Sequence, residues 1–172
     1  MGHIRQLSEN LANKIAAGEV VERPASVIKE LTENSIDAKA KSITILVEQG
    51  GTSSMSVIDD GIGMNRTDAL LCFSRHATSK IVDENDLFNI TTLGFRGEAI
   101  PSIASISVFT LETSDGEENT KVEYEFGKRK SVDSVAMNRG TKITVERIFQ
   151  NVPARLKYMK SINAEFAAIY SY

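Results

Sequence analysis

Two polar side chains on the apolar side of a predicted helix are the first candidates for chemistry. The segment from about Pro24 to Ile36 is predicted to be a helix, because proline suits a first helical turn. At about 100° per residue, Glu30 and Asn34 fall in the same sector as Val27 and Leu31. A carboxylate on the core side of a helix is unfavourable unless it is paired with another polar group or has a functional role. The pair therefore indicates either two residues that take part in the chemistry of a site or two side chains that hydrogen-bond to neighbouring backbone groups.

A second candidate lies at the end of a predicted strand, where Asp59 continues the apolar face of residues 54–59. The glycines that follow, Gly61 and Gly63, would let a flat polar ligand approach the backbone. An ordinary Asp-Gly turn would produce the same pattern. Thr141 likewise begins the apolar face of a later strand, and alone it indicates little.

A third candidate is a glycine-rich loop before a predicted helix. Gly94 and Gly97 flank Arg96, and free backbone N–H groups at such a junction bind anions. The upstream segment 75–80 (RHATSK) adds hydroxyls and cations. No G-x-x-x-x-G-K-[ST] or G-x-G-x-x-G motif is present, so a phosphate site here would be neither a P-loop nor a Rossmann turn. Taken singly, each glycine pair is also compatible with a simple loop turn.

The elements that must position these residues follow from periodicity and turn residues. Strands are predicted over 42–49, 54–59, 107–113, 121–126 and 141–147, and helices over 8–17, 24–36, 65–73, 99–104, 154–160 and 164–172. Residues 74–98 are polar and long for a loop, which favours a lid or a binding loop. Helices followed by neighbouring strands predict an α+β sandwich, with helices on one face of a largely antiparallel sheet.

Composition limits the class of protein. The chain has 172 residues, which suits one domain, with 41% hydrophobic and 25% charged residues. A net charge of −3 argues against a uniformly basic nucleic-acid module, and no apolar run approaches the roughly 18 residues of a membrane span. The single cysteine, Cys72, and the separated His3 and His76 exclude a structural zinc site. Without a secretory leader pattern, a cytoplasmic setting is expected.

Taken together and in their order along the chain, the candidate segments resemble those of the GHKL ATPases, and within that superfamily those of the MutL family of DNA mismatch-repair proteins. The strings that carry the resemblance are LANKIAAGEVVERPASVIKELTENSIDA at 11–38, RHATSK at 75–80, GFRGEA at 94–99 and NVPAR at 151–155. These strings are far more specific than the D-x-G-x-G of residues 59–63. Gyrase B and Hsp90 are disfavoured by RHATSK and GFRGEA, and a histidine kinase by the absence of a phosphoacceptor region upstream.

The resemblance implies a role for each candidate. Glu30 is similar to the general base that activates water, and Asn34 to the residue that binds Mg²⁺ beside the phosphates of ATP. Asp59 would accept the adenine amino group, with Thr141 on the same edge through water. The base would be lined by Ala38 and Gly63. The phosphate-binding residues implied are Thr78, Ser79, Lys80, Gly94, Phe95, Arg96, Gly97 and Glu98.

The resemblance also implies an architecture and partners. All of 1–172 would be one two-layer α/β sandwich of the GHKL (Bergerat) type, with an N-terminal arm at about 1–20 and an ATP lid at about 74–98. ATP would drive homodimerisation in a longer protein, which would recruit the mismatch-recognition protein MutS in a bacterial cytosol. The basic residues of 155–160 would contact DNA weakly, unless they form a solvated face.

The C-terminal helix runs to the last residue without a cap, so the chain is expected to be cut from something longer. The ribosomal-protein-S5-like domain and the C-terminal dimerisation domain of the family would lie outside these residues. The alternative function is a nucleotide-gated interaction module with little or no turnover.

Overall fold

The fold was obtained as a computed structural model, which describes Ile15 and residues 23–74 and 99–153. The helices are α1 (Pro24–Asp37), α2 (Arg66–Leu71) and α3 (Ala99–Ser105). The strands are β1 (Ile43–Glu48), β2 (Ser54–Asp59), β3 (Val108–Ser114), β4 (Asn119–Glu125), β5 (Lys128–Ser134) and β6 (Gly140–Glu146). Within these ranges, no helix is long and apolar enough to cross a membrane.

The strands form one six-stranded sheet in the order β1-β2-β6-β3-β4-β5, and every described pairing is antiparallel. Strand β6 therefore inserts between β2 and β3, although it is the last strand along the described part of the chain. The predicted α+β sandwich is confirmed. This topology places the end of β2, where Asp59 lies, directly beside the start of β6.

Helix α1 begins with Pro24 and packs on β1 and β2. Its buried side chains recur at helical spacing, and they are Pro24, Ala25, Val27, Ile28, Leu31 and Ser35. They cover a core that includes Met55 and Val57 of β2 and Phe109 and Leu111 of β3. Because side chains alternate along a strand, Asp59 shares the helix-facing side with Met55 and Val57.

Helix α2 is shorter than predicted and begins where Asn65 caps it, accepting the Asp68 N–H at 2.8 Å. Just beyond its end, Phe73 stacks on Tyr124 of β4 with ring centroids 4.1 Å apart. This contact anchors the chain immediately before residues 75–98.

Strand β5 was not predicted from the sequence. Its residues, KRKSVDS, are mostly charged and exposed, and they lack the apolar alternation that marks a half-buried strand. An edge strand with charged side chains resists pairing with another chain, so this composition suits its position at the edge of the sheet. The glycine turn predicted after β1 is a short 3₁₀ helix over Gln49–Gly51.

Candidate functional site

A row of polar side chains crosses the helix-facing side of the sheet at one end. Asp59 of β2 lies opposite Thr141 of β6, and Thr141 lies opposite Thr113 of β3. Directly paired residues of antiparallel strands point to the same face, so the three side chains are neighbours. Asp59 and Thr141 are partly exposed, whereas Thr113 is fully buried. In the sequence, Thr141 lies 82 positions after Asp59 and 28 positions after Thr113, and only the strand order brings the three together.

The Asp59 carboxylate is held through both of its oxygens. Ser35 Oγ donates to Asp59 Oδ2 at 2.7 Å, and the Gly61 N–H donates to Oδ1 at 2.9 Å. Each carboxylate oxygen can accept two hydrogen bonds, so each retains capacity for one more donor. Asp59 is thus an oriented acceptor, which suits recognition of an amino group on a ligand.

The glycines after Asp59 allow close backbone contacts. A Cβ on Gly61 would lie 2.7 Å from the carbonyl oxygen of Ala38, an oxygen that also accepts the Ile62 N–H at 3.0 Å. Gly63 has φ +67°, and a Cβ there would overlap the Ser114 carbonyl oxygen. The loop after β2 therefore packs against the end of α1 at Gly61 and against the end of β3 at Gly63, because these two positions carry no side chain.

We expect Gly63→Ala to destabilise the fold by more than about 2 kcal/mol. A left-handed backbone at alanine lowers the free energy of unfolding by about 1–2 kcal/mol, and overlap of its Cβ with a fixed carbonyl lowers it by about 1–3 kcal/mol more. Gly116→Ala is the matched control, because Gly116 also has a positive φ, +98°, but a Cβ there meets nothing within 4 Å. Urea unfolding of the two variants measures the difference. An equal loss of unfolding free energy in the two variants would show that the close contact between Gly63 and Ser114 contributes nothing to stability.

Thr141 is hydrogen-bonded to a buried neighbour. Its hydroxyl oxygen lies 2.9 Å from Thr113 Oγ1, and Thr113 Oγ1 also accepts the Met64 N–H at 3.0 Å. Thr113 Oγ1 can also donate to the Gly140 carbonyl oxygen, which lies 3.2 Å away. The loop after Asp59 is thereby joined to β3 and β6 through one buried hydroxyl.

Asp60, the residue after Asp59, braces the other side of the loop. Its Oδ1 accepts the N–H groups of Lys41 at 2.8 Å and Ser42 at 2.9 Å. The bond from the Ser42 N–H has the larger effect and that from Lys41 the next. Together they hold the pKa of Asp60 below its ordinary value of 3.8, because N–H donors stabilise the charged carboxylate. Asp60 thus ties the segment after α1 to the end of β2.

The lowered pKa of Asp60 predicts a pH dependence of stability. A group with a depressed folded-state pKa stabilises the fold above its unfolded pKa, and that contribution is lost as the pH falls from about 4 through the folded value. We therefore expect Asp60→Asn to flatten the fall in the free energy of unfolding below about pH 4. Urea unfolding across this range tests it, and identical slopes in wild type and variant would contradict it.

Glu30 and Asn34 lie on α1 at the flank of its buried stripe, and both are half-buried. Their spacing of four residues places them on one side of the helix, one turn apart. Ala38 is the C-cap of the same helix and contacts Gly61 as described. One helix therefore carries the predicted base, the predicted metal ligand and the residue that contacts the glycine loop after Asp59.

The structure brings together the predicted residues Ala38, Asp59, Gly63 and Thr141, with Glu30 and Asn34 on the adjoining helix. The other predicted positions, which are Thr78, Ser79, Lys80 and 94–98, lie outside the described residues. So do the lid beyond Ser74, the arm apart from Ile15, and the basic residues Arg155, Lys157 and Lys160. Among the described residues, no group of three or more acidic, histidine or cysteine side chains could hold a metal ion.

Two residues of the site were missed by sequence reasoning. Ser35 follows Asn34 and looks like an ordinary polar helix residue, yet it is buried and donates to Asp59. Thr113 is a threonine inside a strand, which is common there, and only its pairing with Thr141 reveals its role. A signal was available for Ser35, because it lies four residues after Leu31 on the apolar side of α1.

The fold is an α+β domain with an acidic, glycine-lined site at one end of its sheet. The chain belongs to the family of histidine kinase-, DNA gyrase B- and HSP90-like ATPases, which it matches over residues 22–158. Within that family, the sequence is similar to DNA mismatch repair proteins named MutL. It is 54% identical over 170 residues to the protein of Exiguobacterium sibiricum, and 58% identical over 166 residues to that of Geobacillus kaustophilus.

These alignments cover 98% and 96% of this chain but only 28% and 26% of the two relatives, so the chain spans about a quarter of their length. Solved structures agree with the fold. The N-terminal domain of a DNA repair protein superposes with a TM-score of 0.77 at 29% sequence identity. The superposition covers 93% of this chain and 46% of that protein's chain. The Aquifex aeolicus MutL ATPase domain complexed with ADP superposes with a TM-score of 0.64 at 28% sequence identity, over 88% of this chain and 53% of that chain.

Proposed function

We propose that this chain binds ATP and hydrolyses it, as the ATPase domain of a MutL-type DNA mismatch-repair protein. The observation that carries the proposal is the Asp59 carboxylate, which is oriented by Ser35 and Gly61 at the end of a strand and lined by backbone. Similarity to mismatch-repair proteins over nearly the whole chain, and to an ATPase domain with bound ADP, supports it.

Adenine is the base whose edge fits this arrangement. Its 6-amino group is a donor and would bond to the lone pairs left on Asp59, while guanine would present an acceptor there. Thr141 lies directly opposite Asp59 and would contact the neighbouring ring nitrogen, directly or through water. Gly63 and Ala38 would line the base, because neither has a side chain large enough to fill the pocket.

The phosphates would lie toward the helix flank that carries Asn34 and Glu30. The lid residues Thr78, Ser79, Lys80 and 94–98 remain predictions for phosphate contacts, because they lie outside the described part of the chain. A loop with two glycines at a helix start supplies backbone N–H groups suited to that role.

The donor set fits a magnesium ion held mostly by nucleotide. Asn34 supplies one amide oxygen, and the described residues offer no cluster of carboxylates that would make a protein-only metal site. Mg²⁺ is commonly bound through one or two protein oxygens, phosphates and water. When bound, the ion would neutralise phosphate charge, and Asn34 would orient it from the side of α1.

Glu30 would act as the general base. Its carboxylate is half-buried one helical turn before Asn34, so it faces the same side of α1 as the metal ligand. There it would accept a proton from the water that attacks the γ-phosphate.

In a longer protein, we propose that ATP binding promotes homodimerisation and recruitment of the mismatch-recognition protein MutS, with weak, non-specific contact to DNA in the cytoplasm. Support comes from similarity to proteins named for mismatch repair. A nucleotide-gated module without turnover is the second candidate, and the behaviour of Glu30 variants distinguishes the two.

Calorimetric titration with a non-hydrolysable ATP analogue and Mg²⁺ tests the proposal. We expect saturable one-to-one binding, with the matching GTP analogue at least about tenfold weaker because its 6-oxo group faces Asp59. Heat-capacity and circular dichroism measurements on the same sample confirm that it is folded. A folded sample that binds neither analogue would overturn nucleotide binding by this chain.

A further inference from the structure

We propose that Thr113 is a positioning residue that makes Thr141 a hydrogen-bond donor, either to the bound base or to a water that donates to the base, and so helps select adenine. The inference rests on the proposed function, because it concerns how the same pocket reads its base. Thr113 would not touch the nucleotide itself. It would act through the hydroxyl of Thr141.

Thr113 lies on β3 in the polar row, and its side chain is fully buried. Three groups surround its hydroxyl, which are the Met64 N–H at 3.0 Å, the Thr141 hydroxyl at 2.9 Å and the Gly140 carbonyl at 3.2 Å. One of these can only donate, one can only accept, and only Thr141 can do either. The direction of the bond to Thr141 therefore depends on where Thr113 sends its single proton.

Counting protons gives two states. If Thr113 donates to Thr141, the Thr141 proton is free to point toward a ligand, and Thr141 becomes a donor. If Thr113 donates to the Gly140 carbonyl, Thr141 donates to Thr113 and offers a ligand only lone pairs. The Met64 N–H occupies one acceptor position of Thr113 in both states.

The geometry favours the first state. The Thr113–Thr141 bond of 2.9 Å is made in both states, so the contact with the Gly140 carbonyl decides between them. Its 3.2 Å lies beyond the usual O–H···O range of about 2.5–3.0 Å, so the Thr113 proton is better placed on Thr141. Thr141 then presents a donor beside the acceptor Asp59. This pair complements adenine, which has a donor at its 6-amino group and an acceptor at N1. A 6-oxo purine reverses both groups.

The test compares Thr113→Val, which keeps the shape and removes the hydroxyl, with Thr113→Ser, which keeps the hydroxyl. Thr120→Val is the matched control, because Thr120 is a buried threonine in the same cross-strand row, one strand further from Asp59. Calorimetry with Mg²⁺ measures the β,γ-imido triphosphates of adenosine, inosine and purine riboside. Purine riboside has N1 but no 6-amino group, so it separates the contact of Thr141 from that of Asp59.

We expect Thr113→Val to weaken adenosine and purine riboside analogues by the same factor, about five- to tenfold, while inosine binding changes little. Thr113→Ser and Thr120→Val should keep the wild-type selectivity. Equal weakening of all three analogues, or unchanged selectivity, would overturn the role of Thr113 while leaving ATP binding intact. A folded wild-type protein that binds no analogue would instead overturn the proposed function, and this inference with it.

Discussion

Glu30→Ala is expected to lower ATP hydrolysis by about 10²–10⁴-fold while ATP affinity changes less than about threefold. A positioned general base contributes a factor of that size, and alanine removes the only group proposed to take the proton. Glu30 lies one helical turn before Asn34, and the residue of α1 that donates to Asp59 is Ser35, so base recognition should survive. Single-turnover release of labelled phosphate, with protein in excess over ATP, measures slow hydrolysis directly.

Glu33→Ala is the matched control, since Glu33 is a glutamate on the same helix outside the sector shared by Glu30 and Asn34. It should hydrolyse ATP like wild type. If Glu30→Ala hydrolysed at the wild-type rate, the general-base assignment would be wrong. A wild-type chain that binds ATP but releases no phosphate would favour the nucleotide-gated module over the ATPase.

Asp59→Asn is expected to weaken ATP binding by about 100-fold. The amide would replace one acceptor oxygen with a donor, and hydrogen bonds to charged groups are worth about 1.5–3 kcal/mol. The bonds from Ser35 and the Gly61 N–H would also lose their charged acceptor. Calorimetry with the non-hydrolysable analogue measures the loss, and thermal unfolding shows whether the fold is kept.

Asp133→Asn is the control for Asp59→Asn, because Asp133 is exposed on β5 at the far edge of the sheet. The substitution removes the same charge without reaching the pocket, so it should bind ATP like wild type. Equal binding by Asp59→Asn and wild type, in folded protein, would place the adenine elsewhere.

Local pattern was sufficient to predict α1, β2 and β6, because their apolar periodicity and flanking proline or glycine are strong signals. The same pattern revealed Asp59 and Asn34 as polar residues on apolar sides. It failed for β5, where charges at the sheet edge remove the periodicity. It also failed for Ser35 and Thr113, whose residue types are ordinary in a helix and a strand.

The sequence by itself determined the fold class, the resemblance to GHKL ATPases, and which carboxylates and glycines were candidates for chemistry. Only the tertiary structure decided the hydrogen-bond partners of those groups. Insertion of β6 between β2 and β3 brings Thr141 and Thr113 beside Asp59, and packing of α1 brings Ser35 to its carboxylate. These contacts join residues far apart in the chain, and local periodicity carries no information about which strands pair.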